Sequence, residues 1–132
     1  MVGCDSSSGD KVSFPIAIVV LRKGWGGRFF LRKVRYPDSF KKRFSNLHQR
    51  ILQEVLLSCE LALFLKESLN KKMQNLPSGL NYQFRYIHAD IGEQGQTRDM
   101  IREVVGLIKS NGFEAKIKPD SFAASVVADR YT

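Results

Sequence analysis

Residues 12–35 read VSFPIAIVVLRKGWGGRFFLRKVR, and this stretch decides the fold. Val12–Leu21 is an apolar run rich in β-branched residues, which suit a pleated surface. Gly24-Trp25-Gly26-Gly27 supplies the backbone freedom of a tight turn, and Arg28–Arg35 returns as a second run. The stretch is therefore a β-hairpin. Before it, Met1–Ser6 reads as a short strand and Ser7–Lys11 as a polar turn. Three strands thus precede any helix, as an antiparallel meander. After the hairpin, Pro37 and Asp38 close it, and Asp38 is placed to cap a helix.

That helix is expected over Ser39–Leu69. Phe40, Phe44, Leu47, Ile51, Val55, Ser58, Ala62 and Leu65 fall on one side of it at helical spacing. Asn70–Asn81, with Pro77 and Gly79, is a loop. Tyr82–Asp90 alternates as a strand, with Tyr82, Phe84, Tyr86, His88 and Asp90 on one face. Ile91–Gln96 is a glycine-containing loop. Thr97–Ser110 is a helix burying Ile101, Val104, Val105 and Ile108, and Asn111-Gly112 stops it. Phe113–Lys118 is the last strand, and Pro119-Asp120 opens a short helix, Ser121–Tyr131. The order is βββαβαβα. Helical crossovers make the later strands parallel, so the expected product is an α/β fold with a five-stranded mixed sheet flanked by helices.

The chain has 132 residues, 43% hydrophobic and 26% charged, the size and make-up of one globular domain over residues 1–132. Cys4 and Cys59 lie far apart and form no CxxC pair, which favours a reduced, cytoplasmic setting over a structural zinc site. No apolar run approaches the ~18 residues of a membrane-spanning helix, and no signal peptide opens the sequence. The formal net charge of +8 favours a polyanionic partner through counterion release. Many small basic proteins nevertheless bind no nucleic acid, so charge alone does not decide.

Against that basic background, four acids occupy unusual places. Glu54 lies inside the apolar stripe of the long helix, between Ile51 and Ser58, while Glu60 and Glu67 point away. A carboxylate facing the sheet must be paired, protonated or bound to a metal. The ordinary alternative is an internal salt bridge, for example to Arg50. Asp5 and Asp90 each end a strand, and ligands of parallel α/β sheets bind at such ends. Taken singly, both also read as turn or cap residues. If the first and fourth strands are neighbours, Asp5 and Asp90 stand side by side and the helix can lay Glu54 over them. The last helix offers Asp120, in an N-cap position, and Asp129, on the side of Phe122 and Val126. Nine residues of helix separate those two by roughly 13 Å, so one metal site would use one of them, and Asp129 is preferred. Oxygen ligands of this kind suit Mg²⁺ or Mn²⁺. His88 shares the face of Asp90, but a lone strand histidine more often serves as a hydrogen-bonding partner.

The segments Val2-Gly3-Cys4-Asp5-Ser6, His88-Ala89-Asp90-Ile91-Gly92-Glu93, Thr97–Gly106 and Lys118–Thr132, in this element order, resemble the ribonuclease H-like superfamily. More narrowly they resemble its bacterial YkuK-type family of predicted nucleases. The resemblance implies a sheet of order 3-2-1-4-5 and a nuclease-like fold. It also implies metal and catalytic roles for Asp5, Glu54, Asp90 and either Asp129 or Asp120. Ribonuclease H itself has its final Asp near the start of the last helix, which points to Asp120. No counterpart of its mobile catalytic histidine stands near the last acid.

The expected function is hydrolysis of phosphodiester bonds in RNA, DNA or a hybrid by a two-metal-ion mechanism. The alternative is a non-catalytic nucleic-acid-binding module of the same fold. Arg22, Lys23, Trp25, Arg28, Lys41 and Lys42 are the expected nucleic-acid contacts, cations joined by one aromatic ring. A solvated hairpin with Trp25 folded back is the plainer account of them. No membrane partner is expected, and the chain is expected to be a monomer or a weak homodimer.

Overall fold

The computed structural model describes residues 1–7, 12–75 and 82–132. Residues 8–11 of the turn expected over Ser7–Lys11, and the part of the expected loop holding Pro77 and Gly79, lie outside the described residues. Strands β1 (Val2–Cys4), β2 (Ser13–Arg22), β3 (Gly26–Arg35), β4 (Tyr86–His88) and β5 (Glu114–Lys116) form one sheet. Its order is β3-β2-β1-β4-β5, as expected. β1 pairs antiparallel with β2 and parallel with β4, and β4 pairs parallel with β5. The hairpin of β2 and β3 keeps a regular register from Ser13↔Arg35 to Arg22↔Gly26.

The long helix is shorter at its start than expected. A 3₁₀ turn, Asp38–Phe40, and one helical turn, α1 (Lys41–Phe44), precede the main helix α2 (Leu47–Met73). Asn46 is extended, and its side chain accepts a hydrogen bond from the Gln49 N–H at 3.1 Å. Asn46 is thus the N-cap, a role for which its short side-chain carbonyl is suited. Asp38 makes no side-chain cap, contrary to expectation. The fourth strand is also shorter than Tyr82–Asp90, so Asp90 sits just past it rather than within its alternation.

α2 and α3 (Ile101–Ser110) pack on the sheet face that carries Val2, Cys4, Ile16 and Ile87. α3 ends in a Schellman motif. Gly112, at φ 88°, donates to Lys109 O and Phe113 donates to Ile108 O. The opposite face carries Gly3, Ala17 and His88, which are cross-strand partners. On this face lies the last helical segment, a π-helical stretch Ala123–Ala128 followed by a 3₁₀ turn Asp129–Tyr131. It approaches so closely that a Cβ on Gly3 would stand 2.5 Å from the Ala124 N.

The expected packing side of this last segment, Phe122 with Val126, is corrected. Both are exposed, and Ala123, Ala124 and Ala128 are buried instead. A backbone this close to Gly3 has room for methyl groups only, and i→i+5 bonding turns a different set of residues inward. Asp120 is not a cap either. The N-cap residue Phe122 makes no side-chain cap; the Ala123 N–H is taken at 3.1 Å by His88 Nδ1.

Candidate functional site

The acids gather where β1 and β4 end, the carboxyl edge at which parallel strands bind ligands. Asp5 follows Cys4 directly, and its N–H donates to Pro15 O, which fixes it against β2. Alternation continues from Gly3, so the Asp5 side chain falls on the face of the last helical segment and meets Asp129 there. Glu54 reaches in from α2 on the other face. It is 4% exposed, and Ser6 Oγ donates to its Oε1. Asp90 sits beyond β4, held by the Ala89 N–H to Lys116 O and the Lys118 N–H to Ile91 O.

Electrostatics tie the group together. Asp5, 7% exposed, has its carboxyl pushed up to about 7. Burial is the chief cause, and the adjoining Asp129 carboxyl follows; the Ser6 N–H opposes both, and the Asp90 charge adds to the rise. Glu54 is held well above the usual carboxylate range, mainly by burial. Ser6 and Arg50 counter that rise, while Asp5 and Asp90 reinforce it. Asp129 therefore stands beside Asp5. The charge of Asp120 is felt instead at His88. Burial, then the N-terminal ammonium and Lys116, lower His88 to about 4, so it is a neutral ring that holds the last helical segment.

The salt bridge considered for Glu54 does not form. The ion pairs among the described residues are His48–Glu103, Lys71–Glu67 and Lys118–Asp90. The last sets Lys118 Nζ 3.1 Å from Asp90 Oδ1, yet that buried oxygen has no aligned hydrogen-bond donor. Lys118 and Ser6 are the two site residues the sequence did not single out. The Lys118-Pro119 pair opening the last segment, and the serine after Asp5, were the available signals.

A divalent cation fits this set in kind. The donors are hard oxygens, the Asp90 oxygen has no aligned donor among the described residues, and the neighbouring Asp129 and Asp90 raise the proton affinity of Asp5. Among the described residues no three His, Cys, Asp or Glu side chains form a metal-holding group, so the acids do not share one tight shell.

The expected nucleic-acid contacts lie elsewhere. Cys4 pairs with Ile16, and β2 runs from there to Arg22, six residues or roughly 20 Å away. Arg22, Lys23, Trp25 and Arg28 thus cluster at the far end of the hairpin. Trp25 is 79% exposed with the Arg22 guanidinium over its ring, so it does not fold back on the sheet. Lys41 and Lys42 are exposed on α1.

A family model described as Ribonuclease H-like matches residues 1–132. A Bacillus subtilis (strain 168) protein named "Uncharacterized protein YkuK" is 54% identical over 46 residues. That match covers 35% of this chain and 27% of the relative. No solved structure matches the chain. Among the described residues no helix is long and apolar enough to cross a membrane.

Proposed function

The chain belongs to the ribonuclease H-like family, and on that premise we propose that it is a divalent-metal-dependent nuclease acting on RNA, DNA or their hybrid. Proteins of this family usually use divalent metals. The observation that carries the proposal is the placement of buried Asp5 and Glu54, and of the unpartnered Asp90 Oδ1, at the carboxyl ends of the parallel pair β1 and β4. Asp5, Glu54, Asp90 and Asp129 are the proposed Mg²⁺ or Mn²⁺ ligands and catalytic residues, with Asp120 outside the group. When bound, the cations would lower the pKa of an attacking water and stabilise the leaving oxygen.

The chain's own groups have distinct tasks in this proposal. Asp5 and Asp129 place two carboxyls from different elements on one face. Ser6 orients Glu54, and Glu54 adds a carboxyl from the other face. Lys118 neutralises Asp90 and brings an ammonium where a phosphate would lie. His88 and Gly3 seat the last helical segment and so set the position of Asp129. Arg22, Lys23, Trp25, Arg28, Lys41 and Lys42 are proposed contacts to a flanking stretch. Reaching from Asp5 to the hairpin takes about six base pairs at about 3.4 Å each. Cys4 and Cys59 are free and buried, which agrees with a cytoplasmic setting.

The test is cleavage of labelled RNA, DNA and hybrid duplexes in Mn²⁺ by the wild-type chain and by Asp5→Asn and Asp90→Asn. The proposal expects cleavage that needs the metal and both carboxylates. Cleavage that survives both changes refutes the assignment. The separation of the acids favours one second reading, a binding module without turnover. It predicts nucleic-acid binding that falls with salt and ignores Mn²⁺.

A further inference from the structure

The outer edge of β3 is open, and its hydrogen-bonding groups can be assigned. On β2 the odd-numbered residues serve β1: Pro15 O accepts from Asp5 and Val19 N–H donates to Met1 O. The even-numbered residues therefore serve β3, with Ile16 facing Arg32 and Ile18 facing Phe30. On β3 the groups left over belong to Phe29, Leu31 and Lys33, whose N–H and C=O point away from the sheet. β3 ends the strand order, so among the described residues no strand pairs with them.

Apolar side chains flank this edge on both faces. Phe30 is 54% exposed on the α2 side, beside a cleft of about 340 Å³ walled by Arg32, Val34, Leu57, Leu61 and Phe64, with Glu60 as the acid on its wall. Phe29 and Leu31 are exposed on the other side, where the Phe29 ring meets Tyr131. An open, regular, apolar edge of this length is a template for strand addition.

We propose that the outer edge of β3 docks an extended acidic peptide, which joins the sheet as a sixth strand. Charge selects this occupant. Between Val12 and Pro37 the chain has no acid, while Arg22, Lys23, Arg28, Arg32, Lys33 and Arg35 are all cations. A second copy paired edge to edge sets Arg28, Arg32, Lys33 and Arg35 against their own equivalents, and like charges across a ladder repel. A nucleic acid satisfies the cations but leaves the outward amides and Leu31 unused. A strand alternating acidic and apolar side chains satisfies all three. The proposal goes beyond the nuclease reading and stands without it.

The experiment uses a fluorescent ten-residue peptide alternating glutamate with valine, read by anisotropy, and a lysine–valine peptide as its counterpart. The wild-type chain is expected to bind the glutamate peptide at least about tenfold more tightly. Leu31→Pro deletes an outward N–H and none bonded to β2, and edge strands accept proline. It is expected to weaken binding about tenfold or more, with Leu31→Thr within about threefold of wild type. Should Leu31→Pro fail to fold, the pair Arg32→Glu with Lys33→Glu decides the matter, because it must reverse the preference between the two peptides. Equal binding of both peptides, or no effect of these variants, overturns the proposal. So does a wild-type dimer in sedimentation that Leu31→Pro dissolves, which identifies a second copy as the occupant. Equal loss of single-stranded DNA binding in Leu31→Pro also overturns it, in favour of nucleic acid.

Discussion

The two ends of the hairpin sheet carry opposite chemistry. At the carboxyl ends of β1 and β4, Asp5 and Glu54 are buried, with half-buried Asp90 and exposed Asp129 beside them, in a protein of net charge +8. At the turn of β2 and β3, cations and aromatic rings stand in solvent. Burying like charges together costs stability, and a folded chain retains such a cluster only where surrounding packing holds it. Gly3, Ala123 and Ala124 provide that packing here. The hairpin end needs no such support, because exposed cations cost little. The contrast separates a packed end, proposed for chemistry, from an exposed end, proposed for capture.

The sharpest way to break this contrast is to remove the acids. Asp5→Asn or Asp90→Asn is expected to reduce metal-dependent cleavage by about a hundredfold or more while circular dichroism stays native, since transition-state charge is no longer stabilised. The same residue predicts a pH effect. The Asp5 carboxyl is raised from 3.8 to about 7 on folding. A group raised in this way contributes stability that is complete below about 4 and lost as pH rises through about 7. Urea titrations between pH 4 and 8 should therefore show falling stability, and Asp5→Asn should flatten the slope and be the more stable protein at pH 8.

Gly3→Val is expected to cost about 3 kcal/mol, because its side chain meets the Ala124 backbone. A thermal melt and the loss of Asp129 from its place beside Asp5 check it. At the other end, Arg22→Ala with Lys23→Ala should lower the slope of log binding constant against log salt by about 2, read by oligonucleotide anisotropy. The smallest effect is expected for Lys118→Ala, which frees Asp90 and should tighten Mn²⁺ binding a few-fold in calorimetry.

Much of this was legible in the chain. The alternation and glycines of residues 12–35 dictate the hairpin, and the 3.6-residue period places Glu54 among buried neighbours. Local pattern could not show where tertiary contacts overrule it. The Asn46 cap lies inside a run that reads as continuous helix, because the apolar stripe continues across it. Phe122 and Val126 read as a packing face, but the close approach at Gly3 admits alanine alone. The cations of the hairpin read as nucleic-acid contacts with no position relative to the acids, and only the register of β1 with β2 places them at the far end. The Lys118-Pro119 pair marks the start of the last segment, but the sequence does not pair Lys118 with Asp90, which lies at a different strand end.

The central claim is that the acids at the ends of β1 and β4 form a divalent-cation site. Paramagnetic broadening by substoichiometric Mn²⁺ in amide NMR spectra of the wild-type chain tests it directly. The account predicts selective loss of signals from Cys4–Ser6, Ala89–Ile91 and Ala128–Asp129, with the hairpin at residues 22–28 untouched. Unchanged signals around Asp5 and Asp90 at millimolar Mn²⁺ would contradict it.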